Sequence, residues 1–368
     1  NNGQKSFMII SLIIYLFNIY QNILTCIKFY SNFNVIHEFF NNSIDYFTYI
    51  QEQMTKFLSV SNSLKTYEKF NSNLRNYKSN LESYIKKLRC LQPYKTRDIF
   101  KIGKKMKLFY ECKFDETFVN TCNYCFGFVG YIDTILGLQD RLTERKMKFG
   151  KQGKTTKFKN MHHPALLGQQ PIKNSIELNK NFIISGPNAS GKTTLLKSIL
   201  INTLLTQQVY CGFYEKASIR FVDHFHCYLN IPDTNARDSL FQAEARRCKE
   251  IIDSIAKYPK KHHFCIFDEL YSGTNPFEAV GSAYSYLTYL SENPQVRFML
   301  TTHFLKLCDL VKPNPTIQNI KMKAQLEEQS VNYYYIVEEG ISNVKSGFQV
   351  LKKLNYPEEI LEKVFSFN

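Results

Sequence analysis

The stretch that most limits what this chain can fold into is Ile184-Ser185-Gly186-Pro187-Asn188-Ala189-Ser190-Gly191-Lys192-Thr193-Thr194. It fits G-x-x-x-x-G-K-[ST], the phosphate-cradling P-loop pattern. Asn181–Ile184 before it reads as a short buried strand, and Leu195–Leu205 after it as an apolar-striped helix. Strand, glycine-rich turn and helix start in that order are the context the pattern requires. Gly186 and Gly191 let backbone N–H groups converge on phosphate oxygens with no Cβ in the way. The helix N-terminus adds partial positive charge. Lys192 is expected to reach the β- and γ-phosphates, and the Thr193 hydroxyl to hold Mg²⁺. A chance glycine loop would need neither the strand nor the helix. The expected ligand is a nucleoside triphosphate, ATP with Mg²⁺.

Two further strand ends carry chemistry of the same kind. Phe264-Cys265-Ile266-Phe267-Asp268-Glu269 is an apolar run closing on two acids. Asp268 is placed to hold Mg²⁺ through its water shell, and Glu269 to orient or deprotonate an attacking water. The plainer reading is a strand end with surface acids. Ser272-Gly273-Thr274-Asn275-Pro276 then turns into a helix starting at Pro276. Phe298–His303 is a second apolar strand ending in polar residues, and His303 can sense a γ-phosphate because one ring nitrogen donates while the other accepts. A lone strand-end His also serves structure alone. Ser239-Leu-Phe-Gln242 is a capping box by itself. A hydroxyl at a helix N-terminus is also an anion site, so Ser239 is a candidate to meet a neighbouring subunit's nucleotide in trans.

Around these motifs the texture splits in two. Residues 5 to about 150 read as mostly helical: Phe47, Ile50, Met54, Phe57 and Leu58, then Leu74, Tyr77, Leu81, Ile85 and Leu88, recur at helical spacing. Gly and Pro are all but missing from residues 4–92, which suits long packed helices or a lever-like hairpin. From residue 160 strands and helices alternate, the mark of an α/β sheet. Strands are expected at Ala217–Val222, His263–Phe267, Val296–Thr301, Ile317–Lys323 and Asn332–Val337. Helices are expected at Leu195–Gln207, Ser239–Ala256, Pro276–Leu290, Phe304–Leu310, Gly347–Leu354 and Pro357–Phe365. The expected domains are a helical 1–150 and an α/β 151–368.

The 368 residues carry a net charge of +15, which points to an anionic partner, nucleic acid first and a membrane surface second. Lys101, Lys104, Lys105 and Lys107 form one basic cluster. Arg145, Lys146, Lys148, Lys151, Lys154, Lys157 and Lys159 form another that reads as an interdomain linker; solvated faces and phosphate contacts are both open for them. Ten cysteines scattered beside an ATP motif fit a reducing compartment better than a disulfide framework. Cys122-x-x-Cys125 is a lone pair, read as small core residues rather than a metal site completed by Cys90 or Cys112. Phe7–Ile27 has no charged residue. Polar Asn18, Gln21, Asn22 and Thr25 interrupt it, so it reads as a buried bundle helix over a membrane span. The opening Asn-Asn-Gly, without an initiator Met, reads as the start of a fragment.

Taken together, these residues resemble the ATPase domain of the MutS mismatch-repair family, a branch of the ABC-type ATPases. Gly186-Pro-Asn-Ala-Ser-Gly-Lys-Thr193 is similar to its G-P-N-x-x-G-K-[ST]. Asp268-Glu269-x-x-Ser272-Gly-Thr-Asn275 is similar to its D-E-[IL]-x-x-G-T-[ST] run, and Thr302-His303-Phe304 to its T-H-[YF]. Ser239-Leu-Phe-x-x-Glu244 resembles the segment that in the family completes the partner subunit's site. His163-Pro164 and Asn174-Ser175-Ile176 resemble elements ahead of the P-loop. Leu240, Asn275 and Ser175 depart from the family's Thr, Ser/Thr and Asp. By the same register Ile172 borders the adenine, and Tyr335 stacks on it where the family has a His. The family's Phe-x-Glu mismatch wedge belongs far N-terminal, so Phe109-x-Glu111 and Phe114-x-Glu116 read as coincidences of composition.

The resemblance implies a P-loop NTPase α/β domain behind a helical core or lever region. It implies ATP hydrolysis driving conformational change on mismatched or otherwise distorted double-stranded DNA, in mismatch repair or recombination. It also implies a homodimer or heterodimer formed through the ATPase domain, and an intracellular place at DNA. The alternative is an ABC-type nucleotide-binding subunit at a membrane. Against it, Ser239–Glu244 stands where an L-S-G-G-Q signature would be. A nucleotide-gated module without hydrolysis is disfavoured by the intact Glu269 and His303.

Overall fold

The computed structural model describes residues 2–92, 101–229, 240–327, 331–344 and 347–366. The chain forms two compact units, Asn1–Gly137 and Leu138–Asn368. The first is helical: α1 (Asn2–Ser61), α2 (Glu68–Arg89), α3 (Ile102–Phe114) and most of α4 (Glu116–Thr143). Leu74, Leu81, Ile85 and Leu88 fall on one stripe of α2 and bury against Phe40, Phe47, Ile50 and Met54 of α1. Where α1 turns into α2, the buried Asn71 accepts from Ser61 Oγ at 2.8 Å and donates to Ser61 O at 3.1 Å. Cys122 and Cys125 sit in or against this core, as core positions on α4.

Two expectations change here. Phe7–Ile27, read as a buried helix, exposes Phe7, Ile13, Leu16, Phe17 and Ile23 to solvent. Among the described residues, burial along α1 starts only at Phe33, because its packing partners lie alongside the later turns. The stretch is long and apolar enough to cross a membrane by length and composition. Lys105, read as part of a solvated or phosphate-facing cluster, is fully buried instead. Its ammonium lies 5.9 Å from the Phe33 ring centroid and 3.4 Å from His37 Nε2, and burial followed by that charge pulls the His37 pKa down.

The second unit is an α/β layered structure. Its strands are β1 (Lys148–Phe149), β2 (Lys151–Gln152), β3 (Lys157–Met161), β4 (Asn174–Glu177), β5 (Asn181–Ser185), β6 (Cys211–Gly212), β7 (Lys216–Ile219), β8 (His224–Tyr228), β9 (His263–Asp268), β10 (Val296–Thr302), β11 (Ile317–Leu326) and β12 (Val331–Glu339). Its helices are α5 (Lys192–Val209), α6 (Leu240–Lys257), α7 (Pro276–Ser291), α8 (Leu305–Val311), α9 (Gly347–Lys353) and α10 (Glu358–Ser366). The main sheet runs β12-β11-β5-β10-β9-β8, parallel except for β11 with β12.

Period-2 alternation divides the central strands between two cores. Phe182 and Ile184 of β5, with Phe264 and Ile266 of β9, face α5 through Leu195, Leu196 and Ile199. Ile183, Cys265 and Phe267 face the other way, against Cys248, Ile251, Ala283 and Leu287 of α6 and α7. Covering both faces is what allows such uninterrupted apolar strands. The register sets Thr302 beside Ser185 and Thr301 beside Asp268, so the C-terminal ends of β5, β10 and β9 finish at one level. The basic run read as a linker belongs to this unit. Phe158 and Met161 of β3 point into the core, while Lys157 and Lys159 pair with Glu177 at 2.7 Å and Glu215 at 2.9 Å.

Candidate functional site

Residues 186–191 connect β5 to α5 at that common level. Gly191 sits at the left-handed φ of 92°, and a Cβ there would stand 3.1 Å from Tyr335 Cδ1. Both reasons favour glycine. The loop is rich in unspent donors: among the described residues the amides of Asn188, Ala189 and Gly191 donate to no protein acceptor, and the buried Ser190 hydroxyl has no partner. Pro187 and Asn188 complete the turn, and Thr194 is the third residue of α5.

Lys192 opens α5 and is 6% exposed. Its Nζ donates to Gly186 O at 2.9 Å and Pro187 O at 3.1 Å. Burial pulls its pKa down, and the carboxylates of Glu269 and Asp268 oppose that pull. Thr193 Oγ1 donates to the Asp268 carboxylate at 3.0 and 3.1 Å, and Thr301 Oγ1 makes a short bond to the same oxygen pair's Oδ1.

Glu269 is held at φ 57°, a conformation few non-glycine residues adopt, and its amide donates to Thr301 O at 3.1 Å. Its Oε1 lies 2.7 Å from His303 Nε2. That bond, ahead of burial and charge effects, holds the Glu269 pKa below the usual carboxylate range. With the Nε2 proton directed at Glu269, the Lys192 Nζ at 3.4 Å is a neighbour of His303 rather than its donor.

A cavity of about 860 Å³ opens over the loop, and Ile172 and Tyr335 line it together with Glu269, Lys192 and Thr193. That volume lies in the range of small-molecule and cofactor sites. Tyr335 is itself at φ 56°, and its strand is clasped by Asn174, which donates to Tyr335 O at 2.9 Å and accepts from Val337 N at 2.8 Å. Gly186 to Thr194, Asp268, Glu269, His303, Ile172 and Tyr335 are thus gathered in one place. Ser239 lies outside the described residues.

Sequence reasoning missed the roles of two neighbours and gave a third, Glu244, only through the resemblance of Ser239–Glu244. Thr301 was read only as one of the polar residues that close its strand, with no contact assigned. His162 lines the cavity with both ring nitrogens buried and unpartnered, and burial followed by the Lys173 charge pulls its pKa down. Glu244 was legible: Glu244, Cys248, Ile251 and Ile255 form the buried stripe of α6, and one member is an acid. Its Oε1 accepts from Ser272 N and Oγ at 3.1 and 3.0 Å, and its Oε2 from Gly273 N at 3.2 Å.

The donor-rich loop and buried ammonium suit a phosphate chain, and the oxygen pair Thr193–Asp268 suits a hard divalent cation that keeps most of its waters. A family model described as MutS domain V matches residues 182–366 of the 368. The DNA mismatch repair protein MutS of Persephonella marina is 26% identical over 248 residues, 64% of this chain and 28% of the relative. The Endonuclease MutS2 of Thermus thermophilus is 30% identical over 207 residues, 55% and 26% of the two chains. The DNA mismatch repair protein MSH2 of Saccharomyces cerevisiae is 28% identical over 218 residues, 54% and 22%. The chain spans about a quarter of the length of these curated relatives. With half of its length matched by the family model and the loop residues inside the match, the chain belongs to the MutS family.

Proposed function

We propose that residues 186–193 form a P-loop and that the chain is an ABC-type ATPase whose turnover drives conformational change on double-stranded DNA in mismatch repair or recombination. The observation that carries this reading is the convergence of Lys192, Thr193 and Glu269 on one cavity, with Asp268 bonded to Thr193 and His303 to Glu269 from neighbouring strand ends. In this reading Lys192 exchanges its two carbonyl partners for β- and γ-phosphate oxygens. The loop amides and the Ser190 hydroxyl take the remaining phosphate oxygens, and Ile172 and Tyr335 flank the adenine. Thr193 and Asp268 would hold Mg²⁺, which when bound neutralises charge on the phosphates.

Glu269 orients the water through Oε2, which accepts no bond among the described residues, while His303 fixes Oε1. The water oxygen bonds to the γ-phosphorus and the bond to the β–γ bridging oxygen breaks. ADP leaves with the electron pair, and the water's proton passes to Glu269. Lys192 stabilises the charge that develops on the transferred phosphoryl group. Ser239 of a neighbouring copy is the proposed donor in trans, which makes the working form a dimer. DNA as partner rests on the family and on the +15 charge.

Glu269→Gln is expected to bind ATP as the parent does and to hydrolyse it at least about a hundredfold more slowly, whereas Lys192→Ala loses binding as well. Single-turnover hydrolysis alongside equilibrium ATP binding checks both. Parental turnover in Glu269→Gln would remove that residue from the role of base.

A further inference from the structure

The end of the main sheet opposite the phosphate loop holds a second, smaller cleft. It lies where β9 and β10 begin and β7 ends, and Lys154, Thr203, Arg220, His262, Gln295 and Arg297 line it. Its volume is about 50 Å³. A single water needs roughly 10–15 Å³ of such space, so the cleft accommodates a small polyatomic ligand rather than one water.

The charge of the lining is one-sided. Three permanent cations and two histidines, His262 and His263, face the space, and among the described residues no carboxylate lines it. Arg220 and Arg297 pair with no acid among the described residues. Arg220 Nη2 lies 2.9 Å from His262 Nδ1 and 3.4 Å from Gln295 Oε1, contacts that orient the guanidinium without neutralising it. Arg297 spends one donor on Val296 O at 2.9 Å and keeps the rest of its fork. The nearby acid, Asp223, is already engaged by Lys261 Nζ at 3.1 Å and His262 N at 2.8 Å. Burial and then the Arg220 charge both pull the Arg297 pKa down, so the two guanidinium groups are held together against their repulsion.

Half-buried, mutually repelling arginines with free planar donors form a receptor for an oxyanion. We propose that this cleft is a phosphate-class anion site, separate from the nucleotide loop, in which Arg220 and Arg297 grip a tetrahedral oxyanion and Lys154 closes over it. The ligand chemistry is a phosphate dianion, either free or as the terminal monoester of a nucleic-acid strand.

The test is titration calorimetry of the full chain with inorganic phosphate in a Lys192→Ala background, which disables the loop. The expected result is a single-site isotherm weakened at least tenfold by Arg297→Gln or Arg220→Gln and partly kept by Arg297→Lys. Melting in phosphate-free buffer checks the fold: with repulsion relieved, Arg297→Gln should melt no lower than its parent. Phosphate then raises the parental melting temperature and not that of the variant. Displacement of phosphate by a 5′-phosphorylated duplex but not by its 5′-hydroxyl counterpart assigns the strand-borne monoester, and displacement by neither assigns free phosphate. Phosphate binding that vanishes with Lys192→Ala alone, or that both arginine variants leave unchanged, overturns the site.

Discussion

At the scale of single residues, the Glu269–His303 pair decides how the proposed hydrolysis should respond to pH. The 2.7 Å bond from His303 favours the ionised carboxylate and places the Glu269 pKa below its ordinary value. A base of that kind stays ionised through neutral pH, and activity should fall only as pH drops through the depressed pKa. Removing the donor raises the pKa, so His303→Ala is expected to move the acid limb of the kcat profile to higher pH, toward the free carboxylate range. Its slope should remain that of one proton. A limb that stays in place would assign the profile to another group. The place of Asp268 and Glu269 at a strand end could be read in advance, because an apolar run closing on adjacent acids marks where a strand stops. The roles of Thr301 and His162 could not, because they arise from registers and a cavity wall that no local spacing encodes.

Among elements, the contact between α6 and the loop after β9 carries the most consequence. Glu244 is 2% exposed and takes three donors from Ser272 and Gly273, while a Cβ on Gly273 would stand 2.8 Å from Leu240. The first turn of α6 therefore rests directly on the segment that follows Asp268 and Glu269, and α7 is capped just beyond by Asn275, which accepts from Phe277 and Glu278 amides. Glu244→Ala leaves the amides of Ser272 and Gly273 and the Ser272 hydroxyl without their protein acceptor. The expected destabilisation is about 1–3 kcal/mol by urea unfolding, with Glu244→Gln milder because its carbonyl keeps one acceptor. Equal stability of Glu244→Ala and the parent would show that water replaces the carboxylate. The long apolar strands and the helices behind them were legible from periodicity, whereas β8 was not. His-Phe-His-Cys-Tyr looks polar, yet His226 is buried because its Nε2 meets His263 Nδ1 at 3.0 Å. Likewise β3 hides in a lysine run, since only its alternate residues are apolar.

For the molecule as a whole, the issue is how a +15 chain would hold DNA and what it could tell apart. The two basic clusters do not contribute in proportion to their lysines. Lys105 is buried, and Lys146, Lys157 and Lys159 are engaged by Glu144, Glu177 and Glu215. Exposed pairs of this kind add little stability, but they subtract charge from any phosphate-facing surface. In the second cluster Arg145, Lys148, Lys151 and Lys154 remain without a carboxylate among the described residues. Release of counterions from about four phosphates gives a slope near −3.6 in log K against log salt. Duplex affinity of this chain should therefore fall about a hundredfold between 50 and 200 mM salt. Phosphate contacts carry no sequence information, so a mismatched duplex should bind as tightly as its matched counterpart. Fluorescence anisotropy across a salt series measures both quantities. The double variant Lys148→Glu, Lys151→Glu should flatten the slope by about two, because each lost phosphate contact removes close to one. A clear preference for the mismatch would instead require contacts to bases, and a slope unchanged by the double variant would place the DNA on a different face.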